Sequence, residues 1–232
     1  MPVVAHLWDP PRVSQQSPSL EIAPAVEIYY DPDFDLWPTS SAVPGAHISL
    51  SGDLTDEQIG SVIHAGLHWF YYDDEQHPAA TIEEYLGRAA NREAEGTEIV
   101  VWGGPAFADT STGVTMMPGC CVAFGERDEV YDFLAGRSAF AYLGHSPDTG
   151  LAIDADQILI TQHDDEDRVL ATIECPRDQL DAALAVMESE IEAFLAALPA
   201  WTTRHVPNHA TALIEAITEG LRLSALIEKE TP

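Results

Sequence analysis

Residues 139–173 read AFAYLGHSPDTGLAIDADQILITQHDDEDRVLATI, and this stretch decides the fold. Four short apolar runs, at 139–143, 151–153, 158–161 and 169–173, are parted by segments rich in Gly, Pro, Ser and Asp. Those residues favour turns, because Pro presets φ, Gly accepts positive φ, and Asp and Ser bond their own backbone. Short strands at this spacing predict an antiparallel meander, with the segments at 144–150, 154–156 and 164–167 as its connections.

The periodicity changes immediately downstream. Pro176 suits the first position of a helix. Leu180, Leu184, Met187, Ile191, Leu195 and Leu198 then follow a three-to-four spacing, which predicts one long helix with an apolar stripe, stopped at Pro199. Asp181, Glu188 and Glu192 fall on the far face of that helix. Pro207 and Asn208 open a last helix with Leu213, Ile217 and Leu221 inward. Upstream, residues 126–134 predict a short helix with Val130, Phe133 and Leu134 inward.

The first half alternates less regularly. Short strands are expected at 3–7, 25–30, 47–50, 98–102 and 114–117, with an irregular Pro- and Ser-rich lead-in at 9–25. Gly103, Gly104 and Pro105 read as the end of the strand at 98–102. Thr55-Asp56-Glu57-Gln58 is a capping box, in which the Thr hydroxyl and the Gln side chain satisfy each other's backbone amides. The helix it opens carries Ile59, Ile63, Leu67 and Phe70 on one face. Thr81-Ile82-Glu83-Glu84 repeats the signal for a helix toward Arg92. Strict β-α-β alternation is missing. The expected class is therefore α+β, a mainly antiparallel sheet packed by helices with two helices at the C-terminus. One domain over 1–232 is expected, with 136 as a possible internal boundary.

Charge bounds the function. The chain has 39 acids against 10 Lys and Arg, a formal net charge of −29. Between Arg12 and Arg88 there is no cation but thirteen Asp and Glu. Such a surface repels nucleic acid and anionic membrane and attracts a basic protein. A low-lysine acidic composition also accompanies salty cytoplasm or a GC-rich genome, which is a compositional account of the same charge. Three cysteines, Cys120, Cys121 and Cys175, do not make a disulfide framework. The first residues show no secretory signal and no apolar run is long enough for a membrane span, so the expected location is the cytoplasm.

Catalytic motifs are weak. His64 and His68 share a helix face four residues apart, but Ala65-Gly66-Leu67 between them lacks the glutamate of an H-E-x-x-H site. Gly144-His145-Ser146-Pro147-Asp148-Thr149-Gly150 holds His, Ser and Asp together, as a turn does and a Ser–His–Asp relay does not. Pro118-Gly119-Cys120-Cys121 sits in apolar and acidic sequence, which disfavours a thiolate and makes the cysteines small buried hydrophobes. The resulting expectation is a non-enzymatic acidic binding protein, of inhibitor or immunity type, docking on a basic partner such as a nuclease or other nucleic-acid-binding protein. The expected contacts are Asp31, Asp33, Asp35, Asp73, Asp74, Glu75, Asp181, Glu188 and Glu192, and no cofactor is required. The alternative is a metal-dependent hydrolytic enzyme in which His64, His68 and a carboxylate hold a divalent metal. A third reading is an apolar pocket lined by Trp69, Phe70, Tyr71 and Trp102.

Overall fold

The meander is present, and among the described residues it is one of two sheets. The computed structural model describes residues 19–28, 31–41, 46–68, 81–87, 100–120 and 122–222. The first sheet contains β1 (Leu20–Glu27), β2 (His47–Ser49), β3 (Gly103–Asp109) and β4 (Val114–Met116), in the order β2-β1-β3-β4. The second contains β5 (Phe140–Leu143), β6 (Asp148–Asp154), β7 (Gln157–His163) and β8 (Val169–Pro176), in sequence order. Every pairing is antiparallel. With α1 (Asp56–His68), α2 (Asp128–Leu134), α3 (Arg177–His205) and α4 (Ala210–Gly220), the class is α+β with two C-terminal helices. The expected strand at 3–7, and the expected Phe70 contact on α1, lie outside the described residues, as does the Arg92 end of the second capped helix.

Local signals are realised atom by atom. The Thr55 amide donates to Gln58 Oε1 (2.9 Å) and the Gln58 amide to Thr55 Oγ1 (3.3 Å), so the capping box closes in both directions. The Glu84 amide donates to Thr81 Oγ1 (3.1 Å) at the start of the helical stretch 82–87. In the meander, Ala141, Leu151, Ile160 and Ile173 form one row across the sheet, and all four are buried. A one-residue slip would expose that whole row, which is why the alternating pattern holds the register.

Three expectations are corrected, each where tertiary structure overrides a local breaker. Residues 20–25 are not an irregular lead-in, because β1 begins at Leu20 and carries Pro24 opposite Pro105 of β3. The Leu50 amide donates to the Pro24 carbonyl (2.8 Å), so that carbonyl, and the imide nitrogen beside it, face the β2 side. Neither proline removes a bond from the β1–β3 ladder, so both are tolerated. Gly103 and Gly104 do not end a strand either; they start β3. At Gly103 φ is +136°, and a Cβ there would lie 2.2 Å from the Ala25 carbonyl oxygen. Only glycine allows that approach of the two strands. Pro199 lies inside α3, which runs on to His205.

α3 is the spine of the molecule. Leu180, Leu184, Met187, Ile191, Phe194, Leu198 and Trp201 are buried along it, and it touches β1, β8, α1 and α4. Phe194 takes the place in the stripe that periodicity assigned to Leu195, which is only partly buried. One cluster of buried side chains runs from Leu20 through both sheets to Leu221 and crosses position 136. Among the described residues no helix is long and apolar enough to cross a membrane.

Candidate partner-docking face

The outer face of the meander is open to solvent and carries aromatic residues. On β5, Phe140 and Tyr142 alternate with buried Ala141 and Leu143, so both rings stand on the outer face. Phe140 is 62% exposed and Tyr142 is 45% exposed. Phe140 heads a row that continues through Ala152, Leu159 and Glu174, and Tyr142 one through Gly150, Thr161 and Thr172. Gly150, opposite Tyr142 in the register, puts no side chain beside it. Leu170, next to Ala171 in the Gln162 row, adds a third large apolar residue at the far strand. Val169 and Leu170 are also more than half exposed.

Acids bound this face at both ends. Asp154 and Asp156 stand at the β6–β7 turn, and Asp164, Asp165, Glu166 and Asp167 form the β7–β8 turn. The Ser146 hydroxyl donates to Asp165, which places the β5–β6 loop at that same acidic end. Tyr142 donates to Asp148 Oδ1 (3.2 Å). Desolvation and the accepting Asp148 carboxylate push the Tyr142 hydroxyl above its ordinary range, so it stays a donor at neutral pH.

Cations do little to offset this field. Arg127 is buried and grips Glu188 with Nε (2.9 Å) and Nη2 (3.1 Å). Arg137 pairs with Asp132, Arg168 with Asp164 and Glu166, and Arg204 with Asp56. Each of these arginines is matched by at least one carboxylate close by, and Asp33, Asp35, Asp154, Asp156, Asp165, Asp167, Asp181 and Glu192 are among the described acids left exposed.

The residues expected from sequence are dispersed by the fold. Asp31 is partly buried, its carboxylate accepts the Asp33 amide (3.0 Å), and Asp33 and Asp35 are exposed. Asp73, Asp74 and Glu75 lie outside the described residues, as do Trp69, Phe70 and Tyr71 of the expected pocket. Asp181 and Glu192 are exposed on α3. Glu188 between them is not a far-face carboxylate; it turns inward to Arg127 and accepts from the Tyr131 hydroxyl (2.8 Å). Burial pushes its carboxyl up, and the Arg127 guanidinium and Tyr131 hydroxyl outweigh that, so it sits below the usual glutamate range. The acidic ridge of α3 is thus interrupted at its centre. Sequence reading missed Phe140 and Tyr142 as a surface pair, although two aromatics two apart on a strand signal one shared face.

His64 is 2% exposed, with Nδ1 3.1 Å from the Tyr85 hydroxyl and its ring 4.1 Å from that of Phe34. Trp37 packs edge-on against both Phe34 and Tyr85. His64 is therefore part of an aromatic core cluster; the side chain of His68 lies outside the described residues. Among the described residues, no three His, Cys, Asp or Glu side chains converge as a metal site would require. The turn at 144–150 is shorter than expected, since Asp148, Thr149 and Gly150 belong to β6. The same loop meets residues 118–120, where Cys120 bridges His145. Cys120 is partly exposed rather than buried. No family model, no curated protein and no solved structure matches the chain.

Proposed function

We propose that this chain is a non-enzymatic acidic binding protein whose outer meander face docks on a basic protein. Its most concrete form is an inhibitor or immunity-type protein that covers a nucleic-acid-binding surface. One observation carries this reading: Phe140 and Tyr142 stand exposed on a sheet face bounded at both ends by acidic turns. Exposed aromatics are the residue types that anchor interfaces, and truncating them is costly. Carboxylates at the rim act on encounter rate and on choice of partner more than on affinity. The two features together set aromatic anchors between charged flanks, a combination that interfaces use. The dispersed acids at Asp33, Asp35, Asp181 and Glu192 contribute to the long-range field.

The test begins with affinity capture of the partner from the source cell and measures binding of the purified pair. The Phe140→Ala, Tyr142→Ala double variant is expected to weaken binding by about 2 kcal/mol, roughly 30-fold. Changing Asp154 and Asp156 to Asn is expected to slow association several-fold at low salt and to flatten the salt dependence. An affinity unmoved by the aromatic pair, or indifferent to ionic strength, would remove this face from the reading.

A further inference from the structure

We propose that Cys120 and His145 form a thiol–disulfide exchange site selective for uncharged and cationic disulfides. Cys120 Sγ lies 3.5 Å from His145 Nδ1, and the two residues are joined by an isolated β-bridge between their loops. Two glycines make that approach possible. A Cβ on Gly119 would stand 2.5 Å from the Pro147 carbonyl oxygen, and one on Gly144, where φ is +71°, would stand 2.3 Å from Val122 Cγ2. A cysteine that merely fills space needs neither the imidazole nor two backbones held this close.

The other described thiol shows the contrast. Cys175 is 1% exposed, and burial, with Asp109 and Asp178 adding to it, pushes its thiol up to about 11. Cys120 is partly exposed and faces an exposed imidazole. In the exchange, the Cys120 proton passes to His145 and the thiolate sulfur attacks one sulfur of the reagent disulfide. A new S–S bond forms to Cys120 and the reagent's own S–S bond breaks. The second half leaves as a thiolate and takes up a proton, so Cys120 is oxidised to the mixed disulfide while the reagent is reduced. Asp148, held by Tyr142, and Asp165, held by Ser146, flank the loop that carries His145. Their charge repels an anionic disulfide and draws a cationic one.

The full chain carrying Cys121→Ser isolates the site, and the rate of adduct formation at pH 7 is followed by intact mass. Hydroxyethyl disulfide is the neutral probe, cystamine the cationic one and oxidised glutathione the anionic one. His145→Ala is expected to slow all three reagents about 10-fold or more, and free imidazole to restore part of the rate. Cystamine is expected to outrun oxidised glutathione about 10-fold at low salt, with the ratio collapsing toward one in molar salt. Unchanged rates in His145→Ala would overturn the assignment of a base. Adducts that persist after Cys120→Ser in the same background would overturn the site, and a salt-independent reagent ratio would overturn the selectivity. Rescue by imidazole separates a proton-transfer role from loss of loop structure, which imidazole does not repair.

Discussion

Replacing Arg127 with Met is expected to lower the unfolding free energy by about 3 kcal/mol, measured by urea titration at pH 7. The figure sits at the low end for a broken buried pair because Glu188 keeps 32% of its side chain in water. Arg127 itself is 3% exposed and bonds four acceptor atoms. They are both oxygens of Glu188, the Phe124 carbonyl (3.0 Å) and the Leu221 carbonyl (2.8 Å). It therefore ties the short helical segment before α2 to α3 and to the residue that caps α4. Methionine fills similar volume but leaves the carboxylate and two carbonyls without the guanidinium. Replacing both partners, Arg127→Met with Glu188→Leu, is expected to recover more than half of the loss, since an apolar pair leaves no uncompensated charge. A double variant as unstable as the single one would locate the cost in packing rather than in the stranded carboxylate.

The pH dependence supplies an independent sign. In the wild type the folded Glu188 carboxyl lies below its ordinary value. Its contribution is therefore present above the unfolded glutamate value of about 4.3, and it is lost as pH falls through the folded value. Without Arg127, burial raises the carboxyl and the Tyr131 hydroxyl is left to oppose it. The variant then suffers most at neutral pH and least in acid. The gap between wild type and Arg127→Met is expected to narrow as pH falls toward about 4. A gap that widens on acidification would contradict the assignment of Glu188 as the charged partner.

How much of this was legible in the sequence follows from the range of each interaction. The capping box at Thr55 and Gln58 spans three residues, and the alternation of β5 and the stripe of α3 are periodic; all were readable. The α+β class followed from them. Pro24 in β1 was not readable, because its tolerance depends on which side of the strand faces β2 and on Pro105 arriving opposite. Glu188 looked like a surface acid because its partner lies 61 residues away on another element. Cys120 looked like a core thiol for the same reason, its imidazole being 25 residues distant. Charge counting found the sign of the surface but not its organisation, since which carboxylates face outward depends on where the arginines are bound.

Trp201→Ala is expected to cost about 4 kcal/mol, and Pro199→Ala about 1 kcal/mol or less in either direction, by the same urea titration. The pair tests why α3 continues past Pro199. A proline inside a helix lacks one amide donor and crowds the preceding turn, so local propensity alone ends the helix near Leu198. The turn beyond it is held from outside. Trp201 is fully buried, its Nε1 donates to the Asp56 carbonyl (2.9 Å), and its ring meets Trp37 edge-on. Arg204 and His205, one turn further, both reach the Asp56 carboxylate, and these contacts, the Arg204 bond first, hold that carboxyl below its usual range. The start of α1 is thus clamped to the end of α3. Removing the indole leaves a large cavity and takes one donor from the Asp56 carbonyl, whereas removing the proline ring leaves the contacts that hold this turn in place. If Pro199→Ala instead shifted stability by several kcal/mol while Trp201→Ala did little, backbone preference rather than the α1 contact would govern the last turn of α3.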